Sequence, residues 1–172
     1  MWFEKKGLDW AIPPVEAQVR ALELPEGKID MVLDTDTFNE VDDQFAISYM
    51  LKSPELNPVA INAAPFYNSK SSGPEDGMEK SYNEIMHILE LAERTDLKDI
   101  VYKGSREYLK DEKTPVISPA AENICALASK YSPEKPLYIV AIAAITNVAS
   151  ALLMKPEIKE NIVVVWLGGH SW

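Results

Sequence analysis

Five short apolar runs, separated by stretches of helical periodicity, leave this chain few folds to adopt. Residues 28–35 (KIDMVLDT), 58–65 (PVAINAAP), 99–103 (DIVYK), 136–143 (PLYIVAIA) and 161–168 (NIVVVWLG) read as strands. Helices are expected over 42–53, 75–94, 118–131 and 146–154. The first should bury Phe45, Ala46, Ile47, Tyr49, Met50 and Leu51 and stop at Ser53-Pro54, because a residue before proline disfavours helical backbone. Ile85, Ile88, Leu89 and Ala92 give the second an apolar stripe. Thr146 is a plausible cap for the last. Strands four and five are nearly all apolar, as strands buried on both faces are. The fold class is therefore α/β, an open, mostly parallel sheet with helices on both faces. At 172 residues, 47% of them hydrophobic, the chain suits one domain over 28–172. Residues 1–27 read as an amino-terminal extension, with Pro13 and Pro14 opening a short helix over Val15 to Leu24.

Five carboxylates crowd the end of the first strand: Asp34, Asp36, Glu40, Asp42 and Asp43. Open α/β sheets bind ligands at the carboxyl ends of their strands. Two unit charges ~4 Å apart repel by about 4 kcal/mol at an effective dielectric near 20. A cation or a shared proton must offset that repulsion, and a hard divalent ion with oxygen ligands is the simplest answer. A helix start alone attracts acids, but this accounts only for Asp42 and Asp43. Glu40 reads equally well as a solvated loop charge.

Other candidates lie along the same sheet edge. Asn68 follows strand two, either as a turn residue or as an amide for a hydroxylated ligand. Ile145-Thr146-Asn147 follows strand four, where a cap and a ligand contact are compatible. His170 follows Gly168-Gly169 and could reach a ligand, whereas His87, inside the long helix, reads as structural. Trp166 is expected in the core rather than as a stacking platform, and Cys125, the sole cysteine, as a small core residue.

A formal charge of −10 without a basic stripe argues against nucleic acid and against anionic membranes. The opening MWFEKKGLDWAIPP lacks the continuous apolar run of a secretory leader, and no run approaches the ~20 residues of a membrane span, so a cytoplasmic setting is expected. No P-loop, GxGxxG, HExxH or GxSxG occurs.

VLDTDTFNEVDDQFAI resembles the amino-terminal D-x-D-P-G-x-D-D motif of the inosine–uridine-preferring nucleoside hydrolases. Asp34, Asp36, Asp42 and Asp43 are kept, while Thr37-Phe38-Asn39-Glu40-Val41 replaces a three-residue linker. AINAAPFYN and VAIAAITNVASALLMKPEIKENIVVVWLGG are similar to two later segments of that family, so the resemblance spans roughly 28–170. It marks a divergent branch with a Rossmann-like core. The resemblance implies calcium as cofactor, held by Asp36, Asp43 and the backbone carbonyl of Ile142, which stands where the family has a threonine. It makes Asp36 the catalytic base toward a calcium-bound water. Asp42, Asn68 and Leu167 would line the ribose pocket, with Asp34 supporting the ligands from behind. The implied reaction is hydrolysis of a ribonucleoside N-glycosidic bond in purine or pyrimidine salvage. The implied assembly is a homo-oligomer, and the partner a small-molecule ribonucleoside.

Family chains run on for about as much again beyond GGHSW, so the sequence is expected to be the amino-terminal portion of such a protein, inactive or nearly so by itself unless a second chain supplies the rest. One rival is a truncated non-catalytic module that binds ribose or calcium, or serves in assembly. Another is a haloacid-dehalogenase-type magnesium phosphatase, whose Asp-x-Asp motif wants Thr or Val where Phe38 stands.

Overall fold

The computed structural model describes residues 15–169. A short helix, α1 (Val15–Ala21), precedes β1 (Ile29–Thr35), α2 (Val41–Lys52), β2 (Leu56–Ala63), α3 (Pro74–Leu91) and β3 (Val101–Lys103). Then come α4 (Pro119–Ala128), β4 (Leu137–Ala141), α5 (Thr146–Met154) and β5 (Ile162–Trp166). All four strand pairings are parallel, in the order β3-β2-β1-β4-β5. Each element is where the periodicity places it, with ends shifted by a few residues.

Strand alternation divides the interior into two cores. Met31 and Leu33 of β1 and Ile61 of β2 pack with Ile47, Ile85 and Leu89 of α2 and α3. Val32, Ala60 and Ile139 face the other way and pack with Ile124 of α4 and Val148 of α5. Pro58 has no N–H for the ladder, and the β1–β2 register slips where Met31 gives way to Val32. Ser118 caps α4, its hydroxyl accepting from the Ala121 N–H at 3.2 Å with Pro119 in the first turn.

Several expectations need correction. Phe45 and Tyr49 are 70% and 73% exposed, because α2 turns Ile47 and Met50 to the sheet and Asp43 to the strand ends. Val41, Phe45 and Tyr49 form a second, outward apolar stripe at i, i+4, i+8. Strand β5 is not covered on both faces among the described residues: Val164 and Val165 are partly open, and Trp166 is 45% exposed rather than in the core. The Trp166 indole N–H instead donates to the Ala143 carbonyl at 3.0 Å. Thr146 is the first residue of α5, with Ile145 in the capping position. Cys125 is half-buried, and His87 faces outward from α3.

Sheet order fixes where a ligand can enter. From β1 the chain crosses to β2 on one side, and from β4 it crosses to β5 on the other. The crevice beyond the carboxyl ends of β1 and β4 is thus the topological switch point, where the connections that follow the two strands leave in opposite directions.

Candidate functional site

The aspartates stand at that switch point. Asp34 lies in β1, opposite Asn62 of β2 and Ala141 of β4, and its side chain is wholly buried. Its Oδ2 accepts from Asn147 Nδ2 at 3.0 Å and from Asn62 Nδ2 at 3.4 Å, while Oδ1 has no partner. Asn62 Oδ1 is likewise buried and unpartnered. Burial pushes the Asp34 carboxyl up to about 7, against the two amides that favour its anion.

Asn147, in the first turn of α5, ties this carboxyl to the rest of the fold. Its Oδ1 accepts from the Ser105 backbone N–H and hydroxyl, both at 2.8 Å. Gly104 is needed beside it, since a Cβ there would overlap the Ala63 carbonyl and the Asn147 amide.

Asp36 and Asp43 are 7% and 5% exposed. Burial and then the Asp43 charge raise Asp36 to about 7. Burial raises Asp43 to about 6, opposed by a hydrogen bond from the Thr35 hydroxyl. That hydroxyl has one hydrogen, so Thr37, whose oxygen lies 3.0 Å away, is the donor to Thr35. No lysine or arginine is ion-paired with Asp34, Asp36 or Asp43 among the described residues. Two nearly buried, uncompensated carboxylates are a hard-oxygen donor set suited to a divalent cation. No group of three or more acidic, His or Cys side chains among the described residues is arranged as a metal cage.

The remaining candidates are placed unequally. Asn68 and Asp42 are exposed at the rim, Ile142 is half-buried just past β4, and Leu167 is 71% exposed just past β5. Hydrogen bonds from Ile142 N to Asp34 O and from Leu167 N to Ala141 O, each 2.9 Å, extend the ladder to these positions. His170 lies outside the described residues. Asn68 is joined to the acids through Asn39: Asn68 Nδ2 donates to Asn39 Oδ1 at 2.6 Å, and Asn39 Nδ2 donates to Asp36 Oδ2 at 3.0 Å.

Thr35, Thr37, Asn39 and Asn62 were not foreseen as site residues. Nor was Tyr108, whose phenol burial and the charge of Asp36 hold above its usual range. Nothing in the polar loop around Tyr108 distinguishes it in sequence.

Residues 31–172 match the family described as inosine-uridine preferring nucleoside hydrolase. A purine-preferring ribonucleoside hydrolase from Gardnerella vaginalis is similar in structure, with a TM-score of 0.62 and 27% identity, over 82% of this chain and 49% of that one. An inosine-guanosine nucleoside hydrolase shares the fold, with a TM-score of 0.57 and 19% identity, over 79% and 48% of the two chains. The chain thus spans about half the length of these solved relatives. No curated protein sequence matches it. No helix among the described residues is long and apolar enough to cross a membrane.

Proposed function

Because the chain belongs to the inosine-uridine preferring nucleoside hydrolase family, we propose that its aspartate crevice holds calcium and the ribose of a ribonucleoside for hydrolysis of the N-glycosidic bond. The observation carrying this reading is the nearly buried Asp36–Asp43 pair, without a cationic partner, at the switch point of the sheet. Asp36, Asp43 and the Ile142 carbonyl are the proposed ligands of the ion, and Asp34 supports them from the strand behind. Bound there, calcium would orient the sugar and acidify a water.

The residues themselves supply the other parts. Asp36, beside the ion, is proposed to act as general base and take the proton of the attacking water. Asp42 and Asn68 at the rim accept from and donate to ribose hydroxyls, and Leu167 lines the sugar's apolar side. Anionic carboxylates beneath the ring favour the oxocarbenium-like charge that develops as the bond to the base breaks. The proposed assembly is a homo-oligomer, on family likeness alone.

The described residues bring together only two acidic ligands, and hydrolysis needs the leaving base activated as well. The 172-residue chain is therefore proposed to bind calcium and ribose while turning over ribonucleosides slowly or not at all by itself. The binding module without catalysis is thus the form expected of this chain alone. The test pairs calorimetry with base release from inosine and uridine, with and without calcium. Calcium-dependent ribose binding with little or no base release is the expected result. Absence of both calcium and ribose binding would overturn the reading of the crevice.

A further inference from the structure

We propose that Asn39, in the enlarged turn between β1 and α2, is a positioning residue that holds the Asp36 carboxylate and the Asn68 amide as one unit. This inference rests on the roles proposed above for Asp36 and Asn68. Asn39 grips Asp36 twice: its backbone N–H donates to the Asp36 carbonyl at 2.6 Å, and its Nδ2 donates to Asp36 Oδ2 at 3.0 Å. The first bond closes the turn and the second fixes the carboxylate against it. The other end of the same amide, Oδ1, accepts from Asn68 Nδ2 at 2.6 Å.

Only a primary amide of this length performs both tasks. A carboxylate at position 39 could accept from Asn68 but could not donate to Asp36, and it would add another negative charge. An aliphatic side chain does neither. The partner loop is braced as well: the Lys70 backbone N–H donates to Asn68 Oδ1 at 2.9 Å, and the Lys70 ammonium donates to the Asn39 carbonyl. The Lys80 ammonium donates to the Lys70 carbonyl at 2.7 Å and lies 5.9 Å from the Phe38 ring centre. Two loops 29 residues apart in sequence are thereby set edge to edge over the acids. Asn68 keeps one N–H hydrogen and one oxygen lone pair for a ligand hydroxyl, and their direction is set by Asn39.

Two readouts test the assignment without requiring catalysis. In the ligand-free protein, the Asn68 side-chain amide resonances should shift when Asn39→Ala is introduced, with the backbone spectrum outside the two loops unchanged. By calorimetry, Asn39→Ala should weaken D-ribose binding in the presence of calcium by about tenfold, as loss of one well-placed polar contact does. Asn39→Ala/Asn68→Ala should bind ribose no more than twofold more weakly than Asn68→Ala, because the two residues act through one contact. Asn39→Asp should fail to restore ribose affinity. Unchanged Asn68 resonances, or ribose affinity within twofold of wild type in Asn39→Ala, would overturn the inference. A wild type that shows the resonance coupling yet binds neither calcium nor ribose would support the link and overturn the functional reading instead.

Discussion

Metal-free protein, stripped with chelator, should melt about 10 °C lower at pH 8 than at pH 5, and saturating calcium should restore most of that loss. Without a cation, Asp34 and Asp36 titrate near 7 and Asp43 near 6, well above the ordinary carboxylate range. The folded state therefore retains protons between about pH 4 and 7 that the unfolded chain has released. Stability is greatest below the unfolded value and falls as pH rises through the folded one. Between pH 5 and pH 8, ionising one acid held near 7 costs roughly 2.7 kcal/mol, because the unfolded chain has already released its proton at pH 5. At about 2–4 °C per kcal/mol for a domain of this size, one or two such acids account for the expected drop. Calcium at a hundred times its dissociation constant contributes about 2.7 kcal/mol.

Asp43→Ala sharpens the test because its two effects differ in sign. It should abolish the calcium response. It should also remove a repelling neighbour of Asp36, so the metal-free variant should lose less stability than wild type between pH 5 and 8. Against this stands the Thr35 hydroxyl, which loses its acceptor at about 1 kcal/mol. Differential scanning calorimetry at the two pH values, with and without calcium, reads all four states. A calcium-induced shift retained by Asp43→Ala would show the ligand assignment to be wrong.

The largest structural effect is expected at Asn147 rather than at any acid. Asn147→Ala removes the shorter of the two amide bonds to the buried Asp34 Oδ2 and leaves the Ser105 N–H and hydroxyl without their acceptor. Breaking a buried charged contact and exposing its partners unpaired costs about 3–5 kcal/mol. The melting temperature should fall by roughly 10 °C or more. Asn147→Asp should be worse at pH 8 than at pH 5, because it sets a second buried carboxylate against the first. Urea denaturation with an unchanged m-value is the check, and a loss under about 1 kcal/mol would mean that the network around Asp34 carries little of the fold's stability.

Such effects were unequally visible in the sequence. Strand and helix positions follow from local periodicity, and the aspartates from their density at the end of one strand. The order β3-β2-β1-β4-β5 depends on pairings between distant segments and leaves no local pattern. The same is true of Asn147, which reaches Asp34 across 113 residues, and of Asn39, which looks like any polar loop residue until Asn68 is folded beside it. Helix α2 misled for a different reason. It carries apolar side chains on two faces, Ile47 and Met50 on one and Val41, Phe45 and Tyr49 on the other. Composition cannot rank the two, and the choice is made by the sheet and by the burial of Asp43. Trp166 misled because an apolar strand signals what could be buried, not whether a neighbour covers it.

Anomalous diffraction from crystals grown at pH 8 in millimolar calcium tests the central claim most directly. The expected map shows one strong peak about 2.3–2.6 Å from carboxylate oxygens of both Asp36 and Asp43. No peak there, with the two side chains rotated apart toward solvent, would contradict a crevice built to hold a divalent cation.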